Sequence, residues 1–472
     1  MVEVKANISQ SPAPSAAATP PYSTAIMRKT ELASTPITPP PFGPSSAYAQ
    51  TSQARNWRFS HNQLSTIRST ANAAARKRLS DIWAEEHASA SSSTHLDIPF
   101  LSVSDEQALI KYYLVKVSQI VRAFGLPELV EATATTFVKR FYLRNTVMDF
   151  HPKSIVITCI FLASKAENYP LSLSEFSRKL AGKQASDPKV VEENRRTVLD
   201  LEFLVSQSLN FEYAVHGAHR AVYGLVLDIQ ALSGGVAREQ AHKLAAGAHA
   251  NLGQSRLTDA EFVYTPSQIA LACVRCTEGD GKHVVTKWLD AKEARARTSA
   301  VATKAKRNAF REAETMRAAK AKIALARRMK GKAGAKVAED ELAAAASEPM
   351  VVMEFDDELL EKQPLGMSRE ELDKILDEIE ELIKKRESSG FTGQGKGAED
   401  VERVKDIDKR QKQCMNPEKV PGSRLFKKRQ AEEVQGVKGE GGKRIKREDG
   451  VDSDDDEVPK AKDFSVKPEP QV

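Results

Sequence analysis

The sequence predicts an all-α protein built from two tandem five-helix bundles, and three observations carry that expectation. Apolar residues recur at helical spacing through most of residues 98–290. Helix-start signals precede these segments, as Ser or Thr caps, an Asp-Pro step, and prolines at first-turn positions. The segment "HPKSIVITCI" is also echoed by "TPSQIALACV", so that Pro152, Ile155 and Cys159 find their counterparts in Pro266, Ile269 and Cys273. Such internal repetition is the mark of a duplicated unit.

Composition sets the outer bounds. The chain has 472 residues, of which 28% are charged, with a net charge of +6. Its mean hydropathy is -0.43, so much of it cannot be core. A folded centre with long polar flanks fits these values. No run of about 18 apolar residues occurs, which points to a soluble intracellular protein without a membrane span or secretory signal. Four scattered cysteines are too few for a disulfide framework. Cys273 and Cys276 form a lone CxxC without a second pair at finger spacing, and Cys273 reads as a small buried residue of an apolar helix. No metal site and no cofactor is expected.

Residues 1–54 are rich in Ala, Ser, Thr and Pro and read as a disordered tail, with Ser-Pro or Thr-Pro steps at Ser11, Thr19, Thr35 and Thr38. Residues 55–97 hold an N-terminal helix and a polar connector, with Ser60 and Gln63 as a capping box and Leu64, Ile67, Ala71 and Ala75 at helical spacing. The basic triplet Arg76, Lys77 and Arg78 reads as a solvated helix end.

The first bundle spans residues 98–213. Its first helix is expected to start at a second capping box, Ser104 with Gln107, and to end at Gly125. A second helix restarts after Pro127, and a third begins at Pro152 and is apolar nearly all round, as a central helix must be. A short fourth follows from Ser172, and Asp187-Pro188 caps a fifth with Val198, Leu201, Val205 and Leu209 on its buried stripe. The second bundle spans 214–387 and is interrupted by a basic insertion over about 291–366. Residues 291–336 carry 15 Lys or Arg against 3 Glu, a net of +12. That charge suits acidic surfaces or RNA and DNA as non-specific partners, and a solvated, partly helical spacer is the plainer reading. Ser368 and Glu371 cap a last amphipathic helix with Leu372, Ile375, Leu376, Ile379, Leu382 and Ile383 on its stripe.

Residues 388–472 read as a disordered charged tail. It contains basic clusters at Lys427–Arg429 and Lys443–Arg447, spaced like a two-part nuclear localisation signal, and an acidic run around Ser453. Lys446 and Lys467 each sit in a hydrophobic-Lys-x-Glu pattern, too brief to exceed chance.

With these residues in view the chain resembles the cyclin family. The stretch from Lys139 to Asn168, followed by "LEFLVSQSLNF", is similar to the first cyclin box, and "VYTPSQIALACV" to the second. Cell-cycle cyclins carry a Met-Arg-x-Ile-Leu signature in the first box helix; "QALIKYYL" stands here instead, which favours the transcriptional branch of cyclin H type. The resemblance implies two tandem cyclin boxes with flanking helices and a non-enzymatic role, as regulator of a cyclin-dependent kinase of the CDK-activating and TFIIH type. It implies as partners the kinase catalytic subunit, a RING-type assembly factor and the TFIIH core, and nuclear residence. It maps the family's kinase-contacting lysine and glutamate onto Lys165 and Glu202. Phe161, Leu162 and Phe203 beside them either flank that contact or are core, and core is the plainer reading. Other transcriptional cyclins of C, K or T type, or a TFIIB-like DNA-binding factor, are the alternatives. TFIIB-like factors usually bear an N-terminal zinc ribbon, and the first 60 residues contain no cysteine. No phosphate loop, nucleophile-base pair or metal-ligand cluster argues for an enzyme.

Overall fold

A computed structural model describes residues 47–88, 98–345, 365–388 and 398–439. The described residues are helical and loop-connected, without strands. The Ser/Thr-Pro steps, the second basic cluster, the acidic run, Lys446 and Lys467 lie outside them.

Two helices precede the bundles. α1 (Ser52–Asn56) falls inside the stretch assigned by composition to the tail, because Gln53 is buried, receiving the His216 N–H on its Oε1 at 2.8 Å and donating to the His216 carbonyl at 3.2 Å. α2 (His61–His87) opens with the expected Ser60–Gln63 capping box. It runs nine residues past Arg78, so the basic triplet is mid-helix, and Arg78 pairs with Asp149.

The first bundle comprises α3 (Val103–Ala123), α4 (Glu128–Phe141), α5 (Pro152–Ala166), α6 (Leu173–Ala181) and α7 (Pro188–Ser208). The cap of α3 is not Ser104 with Gln107. Ser102 Oγ accepts the Asp105 N–H while Asp105 reaches back to the Ser102 N–H, which moves the start two residues upstream. Accordingly Leu109, Ile110, Leu114, Val117 and Val121 form the buried face. Gly125, at φ +69°, supplies the left-handed turn that ends it. α5 is buried from Ile155 through Ser164, the central helix its composition demanded.

The second bundle repeats the order with α8 (His219–Gln230), α9 (Arg238–Arg256), a short α10 (Ala260–Val263) and α11 (Pro266–Arg275), the counterpart of α5. α12 (Gly281–Ala345) is 65 residues long. Its first turns supply Val284, Val285 and Leu289 to the second core, and the basic insertion is its direct continuation rather than a spacer with helical parts. Alanine explains the continuity, since it has the highest intrinsic helix propensity. α13 (Arg369–Ser388) closes the bundle with Leu372, Leu376, Ile379 and Ile383, and Ser368 with Glu371 caps it.

Residues 398–413, read from composition as disordered tail, form α14 (Ala398–Gln413), which returns to the first bundle. Val404, Ile407 and Cys414 enter the first core. Gln411 Nε2 donates to the Val147 carbonyl at 2.8 Å, Asn416 N donates to the Met148 carbonyl at 3.0 Å, and Arg410 pairs with Asp105 at 3.2 Å. His151 completes this clasp. Its Nδ1 accepts the Lys153 N–H, capping α5, and that role leaves Nε2–H facing Asp408 at 2.9 Å.

Burial holds the His151 imidazole below its ordinary pKa, outweighing the opposite pull of Asp408. A histidine depressed in the fold contributes full stability above the unfolded value of about 6.5, and that contribution is drawn down as pH falls through the lower folded value. The expected result is a melting temperature that falls more steeply from pH 6.5 to 5 (about those limits) in the parent than in His151→Asn, which keeps a capping side chain. Coincident slopes would show that His151 does not carry this dependence.

Residues 417–439 belong to a separate compact unit. It contains a 3-10 turn at Pro417–Lys419 and α15 (Arg424–Gly439), and Arg429 pairs with Glu418 at 2.6 Å.

Candidate functional site

The central helix of the first bundle ends in an outward-facing charge. α5 is followed by Asn168 at φ +60°, and Lys165 sits in its last turn, where a cation is favoured by the helix dipole. The ammonium lies over the Phe161 ring at 4.8 Å from its centroid and pairs with Glu202 of α7. The two residues singled out in the sequence are thus brought together. Their side chains keep 43% and 24% of their exposure, so the pair is accessible at the bundle surface.

What surrounds the pair is apolar and exposed. Phe161 and Leu162 are core, as their sequence setting indicated. Phe203 is not core: it is 59% exposed. The buried stripe of α7 passes through Val198 and Val205, and Phe203 shares the opposite side with Leu199, one turn earlier and also exposed. Phe211, exposed as well, brings its ring centroid to 6.1 Å from that of Phe203. Scattered single exposed apolar residues need no explanation, but contiguous ones around a charged pair mark a surface for a partner.

The backbone holds this patch under strain. Asn210 and Phe211 have φ of +54° and +57° in succession, a region that L-residues visit at a cost of about 1–2 kcal/mol each. The Phe211 N–H donates to the Ser206 carbonyl and the Asn210 N–H to the Gln207 carbonyl, both at 2.9 Å, closing the end of α7. Arg144 fixes the Asn210 side chain at 2.5 Å. This turn throws the Phe211 ring outward beside Phe203.

The second bundle ties its third and fifth helices by the same chemistry turned inward. Arg275, at the end of α11, is buried and faces Asp373 at 3.3 Å, Glu380 at 2.7 Å and Asp377, all on α13. Its charge serves the fold, whereas the Lys165–Glu202 pair stands where a second molecule can reach it.

Two buried cations went unnoticed as such in the sequence. Lys139 Nζ donates to the carbonyls of Arg256 at 2.9 Å and Thr258 at 2.7 Å and pairs with Glu261 at 2.8 Å, joining α4 to the second bundle. Arg140 stacks over Trp57 at 4.8 Å and donates to the Glu212 carbonyl at 3.1 Å; burial lowers its pKa to about 10. The available signal was a pair of adjacent cations inside the apolar run "TTFVKRFYL".

Cys273 is buried, and desolvation pushes its thiol up to about 12, the opposite of what a metal ligand or nucleophile needs. Among the described residues no group of three or more His, Cys, Asp or Glu is placed to hold a metal ion, and no helix is long and apolar enough to cross a membrane.

Comparison with known proteins bears on the same two bundles. The family described as the cyclin N-terminal domain matches residues 86–214, and the cyclin C-terminal domain matches residues 217–384. Cyclin CCL1 of Saccharomyces cerevisiae is 33% identical over 253 residues, covering 52% of this chain and 61% of the yeast protein. The chain therefore spans about three fifths of that relative. Cyclin-H of Xenopus laevis is 32% identical over 233 residues, 49% of this chain and 68% of the frog protein. A chain in the solved CAK complex of Chaetomium thermophilum bound to ATP-gamma-S shares the fold, with a TM-score of 0.53 over 84% of this chain and 96% of that one at 20% identity. With both cyclin domains matched in order and a cyclin-H relative aligned over most of its own length, the chain belongs to the cyclin family.

Proposed function

We propose that this cyclin is the regulatory subunit of a cyclin-dependent protein kinase of the CDK-activating, TFIIH-associated type, and that it docks through the face built around Lys165 and Glu202. The observation that carries the reading is the outward-facing ion pair whose Glu202 shares α7 with exposed Leu199 and Phe203, with exposed Phe211 beside Phe203, on the first cyclin box. The cyclin-H names of its relatives give the kinase class.

The physical logic concerns the partner. A protein kinase needs its ATP-holding lysine paired with a glutamate on a mobile regulatory helix, and a rigid body packed behind that helix holds the pair formed. A helical bundle with a fully buried central helix is such a body. The aromatic side chains supply apolar area at low entropic cost, and Lys165 and Glu202 fix the register by hydrogen bonding. Catalysis stays in the partner, whose substrates in this reading are other cyclin-dependent kinases and the RNA polymerase II C-terminal repeat. A RING-type assembly factor and the TFIIH core complete the set of partners. Nuclear residence belongs to the same proposal and rests on the basic clusters, of which Lys427–Arg429 lies on α15 with both lysines exposed.

The deciding experiment is purification of the tagged full chain from its own cells, with identification of bound kinase and assay on a C-terminal-repeat peptide. A co-purifying cyclin-dependent kinase whose activity depends on the chain is expected. Recovery of no kinase would sink the reading.

A further inference from the structure

The part of α12 beyond the second core lies outside the candidate docking face, and residues 291–336 carry a net charge of +12. Apolar residues of α12 in the second core end at Leu289. From Ala294 to Arg311 there are six Lys or Arg and no carboxylate. Among the described side chains there, Arg295, Arg297, Lys304, Lys306 and Arg311 are exposed. Arg297 is linked to Glu293 near the base of the helix at 3.5 Å, and Arg295 acts electrostatically on Asp228 there.

These cations are not distributed at random around the axis. At about 100° per residue, Arg297, Lys304 and Arg311 recur every seven residues on one side, while Arg295 and Lys306 lie on the opposite side. Lys322 continues the first ridge and Arg317 with Lys320 the second, all exposed. Glu312 and Glu314 fall between the ridges rather than on them. Within Arg295–Arg311 the apolar residues larger than alanine are Val301 and Phe310, nine residues apart and on opposite sides, so this stretch lacks the i, i+3, i+4, i+7 anchors with which a helix enters a protein groove.

We infer that this segment of α12 binds duplex nucleic acid through its phosphate backbone, lying in a groove so that its two opposite cationic ridges reach the two flanking strands. A major groove about 12 Å wide admits one α-helix, and continuous basic helices use it in this manner. On one side the arc between the ridges holds Thr298, Val301, Ala305 and Ala309, side chains small enough to let the axis approach the groove. Arg295 to Arg311 spans about 24 Å, the length over which a straight helix stays in a curved groove before diverging. No base-reading side chain is required, so the binding is indifferent to sequence.

The test uses the full chain and a fluorescent random-sequence duplex of about 16 base pairs, titrated by anisotropy between about 50 and 200 mM salt. Affinity should fall log-linearly with salt, with a slope magnitude of about 4.5 if five cations meet phosphates. Changing Arg295, Arg297, Lys304, Lys306 and Arg311 together to Gln, which preserves helix propensity, should weaken binding by at least about tenfold and flatten the slope. The ridge variants Arg297/Lys304/Arg311→Gln and Arg295/Lys306→Gln should each weaken binding. Loss on one ridge alone would overturn the groove geometry. Equal competition by polyglutamate would overturn the nucleic-acid assignment in favour of an acidic protein. Binding abolished instead by Lys443, Arg444 and Lys446→Gln would move it to the tail and defeat the proposal. The kinase-face variant Lys165→Ala/Glu202→Ala should bind duplex like the parent, so this inference and the docking proposal fail separately.

Discussion

Exchanging the charges of the candidate docking pair, as Lys165→Glu with Glu202→Lys, is expected to leave the fold intact and to cost kinase binding about 3 kcal/mol, roughly 150-fold in affinity. The two halves of that expectation have different physical origins. Within the chain the exchange preserves an ion pair between α5 and α7, and a half-exposed pair contributes no more than about 1 kcal/mol, so the melting temperature should stay within about 3 °C. Across an interface, each group would meet a partner atom arranged for the opposite charge, and like-charge contact at a desolvated surface costs several kcal/mol. Titration calorimetry with the kinase and a melting curve on the same protein separate the two. If the exchanged chain binds as the parent does, the pair serves only the bundle and the docking assignment fails. Phe203→Ser should behave in the same sense, weakening binding without lowering stability, because its exposed ring makes little contribution to the folded chain alone.

The largest loss of stability is expected at Lys139→Met. The ammonium is buried beneath the junction of the cyclin boxes and satisfies two carbonyls and the Glu261 carboxylate at once. Methionine fills the volume but leaves those acceptors without their donor, and removing one member of a buried pair costs about 3–5 kcal/mol. At about 2–4 °C per kcal/mol for a domain of this size, the melting temperature should fall by about 10 °C. Glu261 would keep the Thr136 hydroxyl at 2.9 Å, so Lys139→Met with Glu261→Gln should recover part of the loss. Differential scanning calorimetry reads both. A loss below about 1 kcal/mol would mean that the junction is held by its other contacts, among them the Arg256–Glu128 pair, and not by Lys139.

These expectations also show where sequence was informative. α5 was legible because a helix buried on every side must be apolar on every side, and α11 because it repeats the same proline, isoleucine and cysteine at the same offsets. Lys165 and Glu202 were legible as charges at the edges of such helices, while their meeting across α5 and α7 needed the packed bundle. Phe203 was misread since a phenylalanine in an amphipathic helix is usually core, and only the register set by Val198 and Val205 turns it outward. α14 was hidden by its charge: Val404, Ile407 and Cys414 form a stripe spaced three and seven residues apart, diluted by carboxylates and lysines on the other faces. Ser102 won the start of α3 from Ser104 because Asp105 closes a reciprocal cap there. Lys139 showed only as one of two adjacent cations inside an apolar run, for the acceptors that make its burial tolerable come from residues more than a hundred positions away.

The long α12 bears on how the chain is made. Among the described residues the second core receives Leu289 and next Leu365, Met367 and Leu372, so roughly 75 residues must leave the ribosome before α13 and its approach arrive to cover it. Through that interval Arg275 has none of its three carboxylates, and the groove awaiting Leu376 and Ile379 stands open to water. The first box has its five helices in hand far sooner, the fifth following the fourth after a few residues, and waits only for the clasp of α14. The amino-terminal box is thereby placed to fold first and to serve as the surface on which its twin is completed. The same arrangement makes α13 a plug: a chain cut once within the insertion would keep its two pieces together through the Leu372–Ile383 stripe and the Arg275 contacts, a non-covalent assembly of fragments with the native core.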